Sequence, residues 1–320
     1  MRTNFLFLLL IIVISFSCGS VFSGDDVDYR EEMRTFVREI SAYAKQQDPD
    51  FVVIPQNGHP LVTLGDAPAT KYLNAVDGLA QESLFFGYSK VDQPTPARET
   101  NELLKLLNIG QEADKTILIT DYVYTSFKLN SSYNQNQALD YLSFAAPDRD
   151  LTEIPSTPSP LPEENDKVIT KLSEAQNFLY LLNKENFDSR EGFIDAIQNT
   201  NYDLIIIDAF YGSTMFTAEE VEQLRQKENG GKRMVISYMS IGEAEDYRFY
   251  WQDEWNEGSP EWLVRENPNW EGNFKVEYWN PDWKSIILGN ESSYLQLILN
   301  SEFDGVYLDI IDGFEFFENQ

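Results

Sequence analysis

Apolar positions recur along this chain with two spacings. Met33, Phe36, Val37, Ile40, Tyr43 and Ala44 repeat at helical intervals after Tyr29, which predicts an opening helix. Short apolar runs then follow one another at 51–54, 75–79, 116–120, 139–144, 178–182, 204–208, 234–238 and 305–309, each bounded by turn residues. Most are continuous rather than alternating, the pattern of parallel strands covered on both faces. Amphipathic stretches at 98–107, 190–197, 217–227 and 294–299 separate several of them. Thr217-Ala-Glu-Glu opens the third with a capping box. Eight strands interleaved with helices predict an α/β protein, a single (β/α)8 barrel of the TIM type.

Two features depart from the usual order of such a barrel. The pattern starts on a helix and stops just after the eighth run. One connection, at 153–165, is Pro-rich rather than helical, with Pro155, Pro158, Pro160 and Pro162. A circular permutation explains both: the old termini are joined by the Pro-rich linker, and new ends open between 309 and 29. From pattern alone, a helix gained at one end and lost at the other explains them equally well.

Residues 1–23 read as a targeting segment. Arg2 precedes an apolar run at 5–14 that is short for a membrane span and suits a signal peptide. Two processing readings stay open. One makes Cys18 the lipidated residue of a loose lipobox; the other cleaves after Val21-Phe22-Ser23. Either way residues 24–320 form the folded domain. The expected location is secreted or cell-envelope associated, with the membrane touched only through a lipid anchor.

Charge and composition narrow the chemistry. The 320 residues carry 53 acidic and 24 basic side chains, a formal charge of −29, with a single His and a single Cys. Catalysis by a Ser-His-Asp or Cys-His set finds one imidazole, His59, beside Pro60 in a loop and read as a surface residue. Zinc sites of His and Cys are not expected. A surface this acidic repels phosphate backbones, so no nucleic-acid partner is expected. Abundant carboxylates and aromatics (Trp 6, Tyr 17, Phe 21) suit sugar chemistry. All six tryptophans fall between 243 and 283, too long a stretch for an ordinary strand-to-helix loop. It predicts an aromatic wall over the barrel mouth, with Tyr247, Trp251 and Trp279 facing ligand.

Ile236-Ser-Tyr-Met-Ser-Ile-Gly-Glu-Ala-Glu-Asp-Tyr-Arg248 resembles a segment of extracellular proteins related to glycoside hydrolase family 114, the endo-α-1,4-polygalactosaminidase family. Tyr202-Asp-Leu-Ile-Ile-Ile-Asp208, Tyr278-Trp-Asn-Pro-Asp-Trp283 and Phe303-Asp-Gly-Val-Tyr-Leu-Asp-Ile-Ile-Asp312 are similar to further blocks of it. So are Asp50-Phe-Val-Val-Ile-Pro-Gln-Asn-Gly58 and Val76-Asp-Gly-Leu-Ala-Gln-Glu-Ser-Leu-Phe85. In the family the Asp-Gly-Val-Tyr-Leu-Asp strand comes before the Ile-Pro-Gln-Asn-Gly strand. Here it comes last, which favours the permuted reading. Nothing supports the cysteinyl-tRNA synthetase label that some members of the group have carried.

A barrel of this kind holds its active site at the C-terminal strand ends. Those ends carry Gln56 and Asn57, Glu82, Asp121, Asp208, Tyr238 with Glu243, Glu245 and Arg248, and Asp309 with Asp312. Glycoside hydrolysis needs one ionised and one protonated carboxyl. Asp309 is expected to be the ionised nucleophile or base, and Glu82 the acid; the resemblance implies catalytic roles for both positions. Gln56, Asn57, Asp121, Asp208, Tyr238, Glu243, Arg248 and Asp312 are expected to bind substrate. The substrate is expected to be a polysaccharide or oligosaccharide, the protein a monomer, with no cofactor and no metal. A glycan-binding protein without turnover is the alternative. A third reading has Asp208, Asp309 and Asp312 holding a divalent cation.

Overall fold

The computed structural model describes residues 27–320. Residues 1–23 and Cys18 therefore lie outside the described residues. Eight parallel strands form the centre: β1 (Val52–Pro55), β2 (Gly78–Glu82), β3 (Thr116–Tyr122), β4 (Leu142–Ala146), β5 (Phe178–Leu181), β6 (Leu204–Asp208), β7 (Met234–Ser240) and β8 (Gly305–Asp309). They lie in two hydrogen-bonded sheets, ordered β1-β8-β7-β6-β5 and β2-β3-β4. Leu204-Ile-Ile-Ile shows why: all four residues are buried, so both strand faces meet apolar neighbours.

The ladder is open where the pattern predicted a closed ring. At one seam a single parallel bridge, Gln56 to Ala80, links β1 with β2, supported by the Asn57 N–H to the Ala80 carbonyl at 2.8 Å. At the other seam β4 meets β5 through side chains, with the Phe144 and Phe178 rings 5.8 Å apart. This second seam is where the Pro-rich 153–165 segment makes the connection, without a crossover helix. The fold is thus a mixed α/β architecture with a parallel central sheet, compatible with a TIM-barrel-like arrangement.

The helix Tyr29–Gln47 follows the predicted periodicity and buries Met33, Phe36, Val37, Ile40 and Ala44. It starts on Asp28, whose side chain accepts the Glu31 N–H. Tyr43 reaches Gln296 in the helix before β8 at 2.7 Å, and Lys45 reaches Asp77 just before β2 at 2.8 Å. The helix therefore sits across the β8–β1 junction. The capping box at Thr217 forms as expected, with Glu220 returning to the Thr217 N–H at 2.7 Å.

Strand β2 lies three residues later than the apolar run at 75–79, because Tyr72 to Ala75 complete a turn after the short helix Thr70–Leu73. Glu82 is consequently the last residue of a strand rather than part of the following loop. The helix Ser126–Gln137 was not legible, since its surface is Ser, Asn and Gln almost throughout. The stretch after β7 folds as an antiparallel sheet of Glu243–Glu245, Leu263–Asn267 and Trp270–Val276. Among the described residues no helix is long and apolar enough to cross a membrane.

Candidate active site

The C-terminal strand ends line an open cleft of about 450 Å³. Eleven of the residues singled out by sequence line it: Gln56, Asn57 and Glu82 on one side, Asp208, Tyr238, Glu243, Glu245, Tyr247 and Arg248 on the other, and Asp309 with Asp312 between them.

Asp309 ends β8, so the sheet fixes its backbone. One carboxylate oxygen accepts the Tyr238 hydroxyl at 2.8 Å and the other accepts the Ile310 N–H at 2.8 Å. Ile310 is a β-branched residue in the left-handed region, with φ of 58°. Such a conformation is held only by its surroundings and is common at functional sites. Gly242 supplies part of that support. Its Cα rests directly on the Ile310 carbonyl, and a Cβ there would overlap the oxygen. Gly242→Ala is therefore expected to shift Ile310 and, with it, Asp309. A displacement of a reacting group by about 1 Å can cost about a hundredfold in rate. Turnover and a thermal melt together check this: kcat should fall steeply and Tm modestly, and an unchanged kcat would contradict the linkage.

Glu82 ends β2 and is held differently. The Tyr122 hydroxyl donates to Oε1, and Asn57 Nδ2 donates to Oε2 at 3.3 Å. Arg149 lies over the Tyr122 ring, 4.3 Å from its centroid, and donates to the Ser83 hydroxyl and the Gly87 carbonyl.

Electrostatics couple the carboxyls. Burial pushes the Asp309 carboxyl up to about 8, with the charges of Glu82 and then Asp312 adding to it; the Ile310 and Tyr238 donors pull it back only in part. Burial also raises Asp312 to about 6, helped by Glu315 and opposed by Lys275. Burial thus favours the protonated form of Asp309 at neutral pH, whereas the sequence-based expectation is an ionised Asp309.

The other cleft carboxylates are largely committed. Arg248 forks between Asp208 at 2.8 Å and Glu245 at 2.5 Å. Glu243 is fully buried and takes Lys275 at 2.5 Å and Asn267 at 2.8 Å. Asp208 is thus held on the Arg248 guanidinium instead of being grouped with Asp309 and Asp312 as a cation ligand.

Three expected substrate contacts lie elsewhere. Asp121 is fully buried behind the sheet, accepting the Phe85 and Phe86 N–H groups at 2.9 and 3.1 Å and the Ser132 hydroxyl at 2.6 Å. Strand side chains alternate, so Asp121 faces the helix layer and its neighbour Tyr122 faces the cleft. Trp251 packs on Trp255 and Phe274, inside the core of the antiparallel insertion that runs on through Trp262 to Trp283. Trp279 packs against Tyr29, Tyr278 and Phe317, beside the first helix. His59, expected at the surface, is 2% exposed, and burial lowers it to about 4, so it is neutral.

Sequence reasoning missed Tyr122, Arg149, Tyr180 and Trp270 as cleft residues. The alternation of β3 would have pointed to Tyr122. Trp270 was legible only as one of six tryptophans; its place on the hairpin beside the cleft leaves it 52% exposed. No local signal marked Arg149 or Tyr180.

Three curated relatives are similar to this chain. An uncharacterized protein of Methanocaldococcus jannaschii is 46% identical over 156 residues, covering 48% of this chain and 41% of that protein. Uncharacterized proteins of Deinococcus radiodurans and Thermotoga maritima are 38% and 35% identical over 128 and 144 residues, covering 40% and 45% of this chain and 39% and 41% of theirs. The chain thus spans about two fifths of the length of these relatives. Residues 159–320, half of the chain, match the glycoside-hydrolase family GH114, and the protein belongs to that family.

Proposed function

We propose that this protein hydrolyses α-linked amino-sugar polymers, as an endo-α-1,4-polygalactosaminidase does, with Glu82 and Asp309 as the catalytic pair. The observation that carries this is their shared place in one cleft, where the charge of Glu82 raises the proton affinity of Asp309. A pair that holds one proton is what glycoside hydrolysis requires. Positive charge developing at the anomeric carbon favours an ionised Asp309, so Glu82 is the member of the pair that carries the proton when the bond breaks. Glu82 gives it to the departing glycosidic oxygen. Asp309 meets the anomeric carbon directly or through water; water adds its hydroxyl to that carbon, and the proton it releases returns to the carboxyl pair.

Substrate charge follows from the lining. Seven acidic side chains, Asp309 among them, line the cleft against two guanidiniums, an arrangement suited to a cationic chain. Arg248 holds Asp208 and Glu245 rigidly enough to orient sugar hydroxyls, and Trp270 and Tyr247 offer exposed rings for stacking on sugar faces.

The wider reading has the same basis. The spatial order β5 to β8, then β1 to β4, together with a family match that begins in the Pro-rich segment, supports a circularly permuted eight-stranded barrel. The apolar run at 5–14 supports export, by a signal cleaved after Ser23 or by lipidation of Cys18. A monomer acting on extracellular polysaccharide completes the picture.

The test is incubation of purified protein with α-1,4-linked galactosamine oligomers and neutral glycans, with product masses as the readout. Chain shortening of the amino-sugar oligomers is expected, and Glu82→Gln should lose it. Undiminished binding without cleavage would replace this reading with a glycan-binding protein.

A further inference from the structure

The two proposed catalytic carboxyls stand in different sheets. Asp309 ends β8, inside the larger sheet, and Glu82 ends β2, at the edge of the smaller one. Their separation, which decides what chemistry a carboxyl pair performs, therefore depends on how the two sheets are tied together at the C-terminal strand ends. One tie is the β1–β2 seam, where the Gln56 to Ala80 bridge is followed by Asn57 Nδ2 on Glu82.

The second tie crosses the opposite seam, between β4 and β5. It is the turn at 148–152. The Asp148 carboxylate accepts the Asp150 and Leu151 N–H groups at 2.9 and 3.2 Å, which folds the turn. The Leu151 carbonyl then accepts the Leu182 and Asn183 N–H groups at 3.0 and 3.1 Å, just past the end of β5. From this anchor on the larger sheet, Arg149 reaches back over the smaller one. Its guanidinium covers the Tyr122 ring at the end of β3, and its Nη2 donates to the Ser83 hydroxyl at 3.2 Å and the Gly87 carbonyl at 2.7 Å, both beyond β2.

Every group that Arg149 touches there bears on Glu82. Tyr122 donates its hydroxyl to Glu82 Oε1. Ser83 is the residue after Glu82 and stands in the left-handed region, with φ of 58°. A non-glycine residue keeps that conformation only where its surroundings hold it. The Ser83 N–H donates to the Thr120 carbonyl at 2.7 Å, its carbonyl accepts the Thr95 hydroxyl at 2.7 Å, and Arg149 takes the remaining side-chain oxygen. Gly87 packs so closely that a Cβ there would come within 2.8 Å of Tyr122 Cβ and 3.0 Å of the Ser83 hydroxyl. The loop that carries Arg149's acceptor thus rests directly on the two residues that hold Glu82.

We propose that Arg149 is a positioning residue for the proton donor: it spans the open seam and, through Tyr122 and Ser83, fixes Glu82 at its working distance from Asp309. This rests on the glycosidase reading above. Arg149 acts through its neighbours and not on the reacting atoms.

Two substrates separate this role from a structural one. A galactosamine oligomer has a poor leaving group and needs the proton of Glu82. A dinitrophenyl glycoside of the same oligomer releases a weakly basic phenolate, which departs without a proton. Arg149→Ala should lower kcat/KM for the plain oligomer about a hundredfold, the cost of misplacing a reacting group by about 1 Å, and should change it little for the dinitrophenyl glycoside. Glu82→Gln should show the same split, and adding Arg149→Ala to it should cost almost nothing more, because both changes remove one function. Arg149→Lys keeps a charge but lacks the planar fork, so it should show the split as well, and it replaces the alanine variant if that one does not fold. Equal losses on the two substrates would overturn the proposal, as would additive losses in the double variant. If the wild type leaves the plain oligomer intact, the glycosidase reading fails. A crystal structure of the Arg149 variant then decides the positioning: a displaced Glu82 carboxyl upholds it, and a Glu82 unmoved beneath Tyr122 overturns it.

Discussion

Replacing Asp309 by Asn should abolish cleavage and make the protein harder to unfold above neutral pH. The catalytic part follows from position. Asp309 is fixed at the cleft floor by Tyr238 and Ile310, and the proposed reaction has no other carboxylate there to replace it. Loss of a positioned acid or base costs about 10²–10⁴ in rate. The stability part follows from linkage. The folded carboxyl titrates near 8, against an ordinary value of 3.8, so between these values the folded state binds the extra proton. Stability of the wild type must therefore fall as pH rises through that window, and the penalty is complete above about 8. Asparagine does not titrate. The variant should match the wild type near pH 4 and gain on the order of a few kcal/mol by pH 8.5, or about 5 °C in Tm. Thermal melts across this range check it. A Tm difference that does not change with pH would show that Asp309 is not the proton carrier. Glu82→Gln, by removing a like charge, should flatten the wild-type dependence. In the active enzyme the same proton sets the alkaline limit, so turnover should decline as pH passes about 8.

The largest purely structural effect is expected at the opposite end of the sheet. Lys227 and Asp203 form an ion pair at 2.8 Å in which both side chains are fully buried. The second Asp203 oxygen accepts Asn165 Nδ2 at 2.8 Å and the Gln176 N–H at 2.9 Å, and Lys227 also donates to the Asn165 carbonyl at 2.8 Å. The pair thus ties the end of the Pro-rich segment to the start of β6. Asp203→Ala leaves an ammonium buried with carbonyl and amide oxygens but no counter-charge. Breaking one side of such a pair costs about 3–5 kcal/mol. For a chain of this size that is a fall of about 10 °C in Tm. The double change Asp203→Asn with Lys227→Met should cost less, because no unpaired charge remains. Turnover at a temperature where both variants stay folded should be unchanged, since Asp203 precedes β6 and the cleft lies at its other end. An Asp203→Ala protein that melts with the wild type would contradict the burial of the pair.

Much of this architecture was legible residue by residue. The runs at 204–208 and 305–309 coincide with β6 and β8, because both strands are apolar throughout and stop at Asp208 and Asp309. The opening helix was legible from its spacing, and the helix after Thr217 from its capping box. Errors arose where a local pattern served two elements. The 75–79 run straddles a turn and a strand, and the polar helix Ser126–Gln137 has almost no apolar stripe to read. Within the cleft, choosing Asp121 over Tyr122 picked the charged residue and ignored the alternation of the strand. Spacing could not say which tryptophans face ligand: Trp251 joins Trp255, Trp262 and Trp283 in the core of the insertion, whereas Trp270 is exposed beside the cleft.

By itself, the sequence determined the strand and helix segments and the set of carboxylates at the strand ends. It also carried the motifs that resemble family 114. Those are local properties, set by apolar spacing and turn residues within about ten positions. Only the tertiary structure decided which carboxylates stay unpaired, that burial raises the proton affinity of Asp309, and that His59 is buried. It also decided that the ladder stays open at two seams. Each of these depends on charges and surfaces brought together from distant parts of the chain, as Asp208 is with Arg248 and Glu82 with Tyr122. Burial and Coulomb energies are sums over neighbours in space, and periodicity along the chain carries no record of them.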